Sequence, residues 1–286
     1  MENNFKILED RLIRFSDILG FSELLKRESL EFAHAKYSRF IDNAKTMVFY
    51  ATQGDNKGRT NFEYAEFLSD SIILVSNPIN DVYNVNNFIG AVNYLMETGF
   101  VDKLPLRGAI TKGDFLLDNE RNIFLSNDFS KAVKFEGKQE WTGCIILEEA
   151  EGTIINSIFG EKAIETLKAK TQLRNNPVHY YPVPLKNNCE NYFVLNFLFF
   201  LTKEQIVKGI DSLIQPKKRN LKKYFDFLVS LPIELKDLPS EFLPATYAKI
   251  MKTRSGMRTM FLDSESKPCQ PGVEEFTYIA VGRWKD

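Results

Sequence analysis

The first half of the chain alternates between short apolar runs and longer amphipathic stretches. Residues 11–18, RLIRFSDI, mix apolar and polar positions and predict a strand. LGFS then turns the chain into a long polar–apolar helix over about residues 22–45. TMVFYATQ, residues 46–53, is strongly apolar and predicts a second strand. The turn formers of GDNKGRTN predict a hairpin loop, and residues 62–76, FEYAEFLSDSIILVS, the returning strand. Pro78 opens a helix to about residue 98, with Gly99 past its end. Residues 104–117 predict a strand with a glycine-associated irregularity, and residues 123–125 a short one. Residues 127–139 predict a helix, and CIILEE a strand.

A hairpin set between two helical crossovers predicts a ferredoxin-like αβ sandwich, one sheet with helices on one face. Beyond about residue 190 the pattern turns helical, through KEQIVKGIDSLI and NLKKYFDFLVSL, and ends in a strand-like EEFTYIAVGRW. The most apolar run, YFVLNFLFFL at 192–201, is too short to span a bilayer as a helix and reads as a buried strand or core helix. The fold class expected is therefore α+β: a catalytic-size core over residues 1–185 and a helical or mixed C-terminal appendage over 186–286, packed on it. There is no internal repeat and no low-complexity tract.

Composition narrows the function. With 44% hydrophobic and 26% charged residues the chain is expected to fold, and a net charge of -1 gives no general grip on nucleic acid or anionic membrane. The basic cluster at 217–223 reads as a solvated helix start. Cys144, Cys189 and Cys269 are far apart and lack zinc-ligand spacing, so reduced thiols in a cytoplasmic protein are expected. The first residues lack the apolar run of a signal peptide. Neither His34 nor His179 stands in a nucleophile arrangement, and no Walker or Rossmann loop is present. Trp141 reads as core.

Two aspartate segments stand out. Asp17 closes a strand just before a glycine turn and a helix, in Phe15-Ser16-Asp17-Ile18-Leu19-Gly20-Phe21-Ser22. Asp70 interrupts the apolar run of Phe67-Leu68-Ser69-Asp70-Ser71-Ile72-Ile73, where a carboxylate is costly unless partnered. Each alone reads as a cap or an ion-paired residue. If their strands are neighbours, both carboxylates reach one hard divalent cation, which takes carboxylate and phosphate oxygens together.

FSDILGFS followed by a helix, a hairpin and FLSDSI resembles the class III adenylyl and guanylyl cyclases. Leu106-Arg107-Gly108-Ala109-Ile110 with Gly113, and Ala132-Val133-Lys134-Phe135-Glu136, resemble two further motifs of that family, in family order across about residues 10–150. The resemblance implies a homodimer with its sites between protomers and a nucleoside triphosphate substrate. Asp17, the Ile18 carbonyl and Asp70 would bind two divalent metal ions, Mg²⁺ or Mn²⁺. The backbone amides of Gly20, Phe21 and Ser22 would receive phosphate at a helix N-terminus.

The chain departs from the family at informative places. The usual transition-state asparagine and arginine fall on Ser130 and Lys134, and the usual glycine before the second aspartate is Ser69. Lysine carries charge without bidentate geometry. The base-reading position holds Glu66, an acceptor where adenylyl cyclases place lysine, and its partner position falls near Ile123, or on Asn122 with a one-residue slip. Glu66 suits guanine, uracil or cytosine. The set is closer to the Pycsar pyrimidine cyclases of bacterial antiphage defence, which make cyclic UMP or cyclic CMP for a separate effector protein. Tyr50, expected on the strand facing Glu66, would narrow the pocket to a single-ring base. A guanylyl cyclase, or a catalytically silent nucleotide-binding or dimerisation module of the same fold, are the alternatives.

Overall fold

Strand β1, Lys6–Ile18, is the axis of the molecule. The computed structural model describes residues 5–48, 60–160, 163–169, 172–232, 246–253 and 256–263. After β1 come helices α1 (Phe21–Arg27) and α2 (Leu30–Val48), the hairpin β2 (Phe62–Leu68) and β3 (Ser71–Ser76), helix α3 (Val82–Val101) and strand β4 (Leu106–Asp118). β1 lies between β3 and β4 and is antiparallel to both, in the order β2-β3-β1-β4. That is the ferredoxin-like arrangement expected from the element order.

The sheet continues through β6 (Gly143–Ile146), parallel to β4, then β8 (Cys189–Leu195) and β7 (Val178–Pro184), so it crosses residue 185. The short β5 (Ile123–Leu125) pairs with the end of β4. Helices α4 (Asn127–Glu136), α5 (Glu148–Phe159), α6 (Ala163–Lys168), α7 (Lys203–Ser212) and α8 (Lys217–Ser230) complete the main body. Two further strands, β9 (Thr246–Thr253) and β10 (Gly256–Asp263), form an antiparallel ribbon. Among the described residues no helix is long and apolar enough to cross a membrane.

Alternation along the strands assigns the two faces of the sheet. Ile18, Leu106 and the even-numbered residues of β3 face α2 and α3. Leu106 meets Gly99 of α3, which also meets Phe40 of α2, and Phe88 of α3 packs edge-on against Phe62 of β2. From α3, Val85, Phe88, Ile89, Val92, Leu95, Met96 and Phe100 are buried, each such side chain stabilising by roughly 1.5–3 kcal/mol. Helix α4 lies on the other face, where Phe129 packs edge-on against Phe15 and Phe115. The sheet is thus covered on both faces rather than one. Gly113 permits this: a Cβ there would fall 1.9 Å from Asp128 Oδ2, so α4 crosses β4 only because that side chain is missing.

Several elements differ from their sequence pattern. The first helix breaks at Glu28-Ser29, because the Ser29 hydroxyl accepts from the Phe32 amide at 3.2 Å and starts α2 afresh. Residues 46–48, expected to open a strand, extend α2, as propagating a formed helix needs little further ordering. The remainder of that expected strand and most of the GDNKGRTN loop lie outside the described residues. The single strand expected over 62–76 is two strands joined at Ser69-Asp70. Helix α3 starts at its Asp81 N-cap, not at Pro78, and runs through Gly99. The irregularity expected in β4 falls on its partner: the register shifts between Leu8 and Arg11, with Asp10 at φ 52. Both glutamates of CIILEE belong to α5, whose first turn gathers Glu148, Glu149 and Glu151 at the positive end of its dipole. The run at 192–201 ends β8 and enters a 3-10 turn, Phe197–Phe200. Trp141 is fully buried and the basic cluster opens α8, both as expected. The strand expected at EEFTYIAVGRW, and Cys269, lie outside the described residues.

Candidate active site

Asp17 is the penultimate residue of β1, and alternation sends it to the α4 face while Ser16 and Ile18 are buried on the other. It stands opposite Ser71 of β3, whose hydroxyl donates to Asp17 Oδ1 at 2.8 Å. One residue on, the Ile18 amide donates to the Asp70 carbonyl at 2.8 Å. The end of β1 is therefore tied to the β2–β3 turn, and Asp70 comes beside Asp17. Ser69, which precedes it, has φ 55. This left-handed conformation favours glycine, a physical reason for glycine in the family motif at that position.

The site carries more negative than positive charge. Burial pushes the Asp17 carboxyl above its ordinary value, and the bond from Ser71 opposes this. Asp70 raises it further and Arg107 lowers it. Arg107 of β4 stands directly across from Asp17 in the sheet. Its guanidinium is already engaged, with Glu136 of α4 through Nε and with the Gln139 carbonyl at 2.8 Å. Glu136 is pushed up by burial, held down by Arg107 and pushed up again by Asp17. Asp17 and Glu136 thus share one guanidinium while Asp70 adds negative charge beside Asp17, an excess that favours a cation. Among the described residues no three His, Cys, Asp or Glu side chains converge as a metal cage. Two carboxylates and a backbone carbonyl suit a hard ion such as Mg²⁺ whose shell is completed by water and substrate phosphate oxygens.

The turn after β1 presents backbone. Leu19 N–H is held by the Pro105 carbonyl at 2.8 Å, and Gly20, at φ 79, caps α1 without a side-chain hydrogen bond. Gly20 and Ser22 are exposed, while Phe21 is buried against Tyr37, with ring centroids 5.5 Å apart. The first amides of α1 have no acceptor within the helix.

Glu66 lies on β2 opposite Ile73, on the same face as Asp17. Tyr64, two residues away on that face, donates its hydroxyl to Glu66 Oε2 at 3.3 Å. Its ring packs on Phe115, centroids 5.8 Å apart, and Phe115 stacks on Phe124 of β5 at 6.1 Å. Register pairs Phe124 with Leu117 and Ile123 with Asp118. Ile123 therefore points to the opposite face from Glu66, and Phe124 is the β5 residue on the Glu66 side. Tyr50 lies outside the described residues.

Ser130 and Lys134 are one turn apart on the exposed side of α4, away from the buried Ala132 and Glu136. The Ser130 hydroxyl donates to the Ser126 carbonyl at 3.1 Å. Within one chain neither is brought to Asp17. Ser71, Arg107 and Tyr64 were not singled out as site residues from the sequence. Arg107 and Glu136 both stand in quoted motifs, but their pairing across the α4–β4 contact has no local signal.

No protein-family profile and no curated protein matches the chain. Among solved structures, the adenylyl cyclase CyaB from P. aeruginosa aligns over 67% of this chain and 96% of its own, with 12% identity and a TM-score of 0.47. The monomeric guanylyl cyclase domain of the RhoGC fusion protein from the aquatic fungus Blastocladiella emersonii aligns over 68% and 98%, with 15% identity and a TM-score of 0.44. An adenylate cyclase from Trypanosoma brucei aligns over 69% and 92%, with 11% identity and a TM-score of 0.40.

Proposed function

We propose that this chain is a metal-dependent nucleotidyl cyclase that converts a pyrimidine nucleoside triphosphate, UTP before CTP, to its 3′,5′-cyclic monophosphate and pyrophosphate. The observation that carries the reading is the meeting of Asp17 and Asp70, joined through the 2.8 Å bond from Ile18 to Asp70, beside an exposed glycine turn at a helix start.

In this reading the ribose 3′-oxygen attacks the α-phosphorus, its proton leaves, and the bond to pyrophosphate breaks. Divalent ions held by Asp17, Asp70 and the Ile18 carbonyl would acidify the 3′-hydroxyl and neutralise charge on the leaving group. Ser71 orients the Asp17 carboxylate through its hydroxyl. The amides of Gly20, Phe21 and Ser22 receive the polyphosphate where the helix dipole favours anions. Ser130 and Lys134, pointing away from their own sheet, serve the site of a second copy in a homodimer. There Lys134 places positive charge on the phosphates as negative charge develops. Glu66 accepts from the base edge, and Phe124, rather than Ile123, offers the base an apolar neighbour without a hydrogen bond.

The catalytic unit proposed runs beyond the expected boundary at residue 185 to include β8, which lies inside the sheet between β6 and β7, and the appendage follows it. The product would be a cytoplasmic second messenger for a separate effector, as in the antiphage Pycsar systems the motifs resemble. The test incubates purified protein with each of the four nucleoside triphosphates and Mn²⁺ or Mg²⁺, reading cyclic products by mass spectrometry. Cyclic UMP or CMP is expected. Abundant cyclic GMP alone would move the protein to the guanylyl reading, and no cyclic product at all would leave it a silent module.

A further inference from the structure

We infer that Tyr64 is a specificity-determining residue: its hydroxyl occupies one oxygen of Glu66, so that this carboxylate reads bases presenting one donor and disfavours guanine, which presents two. The inference rests on the nucleotidyl cyclase reading and names what sets base choice at that same site.

A free glutamate does not distinguish these bases well. Its two oxygens can take guanine N1–H and the amino group side by side, or a single N–H from uracil or cytosine. In this chain the two oxygens are not equivalent. Tyr64 donates to Oε2 at 3.3 Å, from a position two residues away on the same face of an edge strand. Guanine must then share Oε2 with Tyr64 or displace it, whereas uracil N3–H or the cytosine amino group needs only Oε1.

The hydroxyl is built to stay where it is. The Tyr64 ring rests on the fully buried Phe115, which is itself stacked on Phe124 and met edge-on by Phe129. Burial, with Glu66 adding to it, pushes the Tyr64 phenol up to about 12, so it remains a proton donor throughout the neutral range. No other described contact uses this hydroxyl, so replacing it leaves the ring packing in place.

The experiment compares the full-length protein with Tyr64→Phe, Glu66→Ala and the double variant, measuring kcat and KM for UTP, CTP and GTP. Removing the hydroxyl should raise the GTP-to-UTP ratio of kcat/KM by about tenfold, the effect of one hydrogen bond to a charged group, chiefly through a lower KM for GTP. In the Glu66→Ala background the same change should leave that ratio unmoved. Glu66→Gln gives an independent reading. With its amide oxygen held by Tyr64, its NH₂ would face the base and shift preference from UTP toward CTP, whose N3 is an acceptor. A Tyr64→Phe protein that loses activity equally on all three substrates would overturn the inference. So would a ratio that shifts equally without Glu66, or a Glu66→Gln preference identical to the unmodified protein. Absence of any cyclic product from the unmodified protein would instead overturn the cyclase reading, and this inference with it.

Discussion

The Ile18 amide donates to the Asp70 carbonyl at 2.8 Å, so a single backbone hydrogen bond sets the distance between the two segments that carry the acidic pair. Ser71, the next residue, donates to Asp17 from the other direction. Asp17 and Asp70 are thus placed by β1–β3 pairing, not by contact with each other.

Replacing either carboxylate by its amide keeps this backbone scaffold and removes a proposed metal ligand. Asp17→Asn and Asp70→Asn should each lower cyclisation by on the order of a hundredfold or more, while circular dichroism and melting stay near those of the unmodified protein. Near-normal turnover by either variant would remove it from the metal site.

Ser130 and Lys134 face away from their own sheet, so the site is expected to be shared between copies. Asp17→Asn and Lys134→Ala proteins, each inactive alone, should recover part of the activity when mixed, because one site of a mixed dimer is intact. Labelled subunits must be shown to exchange. If they exchange and activity does not return, each chain builds its site alone or Lys134 has no part in it.

Ser69 occupies a left-handed conformation at φ 55 on the two-residue turn that carries Asp70. Such a conformation costs a non-glycine residue roughly 1–2 kcal/mol, while glycine adds about 0.4–1 kcal/mol of unfolded-state entropy. Ser69→Gly should therefore raise stability by about 0.5–1 kcal/mol, visible as a higher urea midpoint with an unchanged slope. A lower midpoint would show that the serine side chain has a stabilising role of its own.

His179 gives the protein a defined acid weakness. It is fully buried on β7, with Nδ1 3.2 Å from the Tyr224 hydroxyl of α8 and Nε2 2.9 Å from the Leu173 carbonyl. The carbonyl can only accept, which assigns the proton to Nε2 and leaves Nδ1 to accept from Tyr224. Burial lowers its pKa to about 4, against 6.5 for the free side chain. The unfolded chain therefore binds a proton first as pH falls. The stabilisation is fully present above about pH 6.5 and is lost progressively down to about pH 4, at most about 3 kcal/mol. His179→Gln should be less stable at pH 7 and show a flatter stability profile over that window by urea denaturation. An equally steep profile would assign the acid loss to other groups.

From the sequence, β1, the helix before residue 46, α3 and β4 were legible because alternation and amphipathic periods are local properties, but the hairpin expected between 46–53 and 62–76 lies within 62–76 alone. Asp17 and Asp70 stood out because a carboxylate within an apolar strand contradicts its surroundings. Glu66 could be located only through the resemblance, which places a base-reading position four residues before Asp70. What lies between elements had no such signal. Ser29 resets a helix that periodicity reads as continuous, and residues 46–48 look like strand until the helix before them is formed. The covering of the second sheet face depends on Gly113 meeting Asp128, two positions unrelated in pattern. Likewise the Arg107–Glu136 pair beside Asp17 and the position of Phe124 in place of Ile123 were decided by sheet register. Register is fixed by the sum of packing on both faces, and a one-residue shift moves every side chain to the other side. The candidate site residues were therefore named from the sequence, while their neighbours, and the charge and hydrogen bonds those neighbours impose, came only with the tertiary structure.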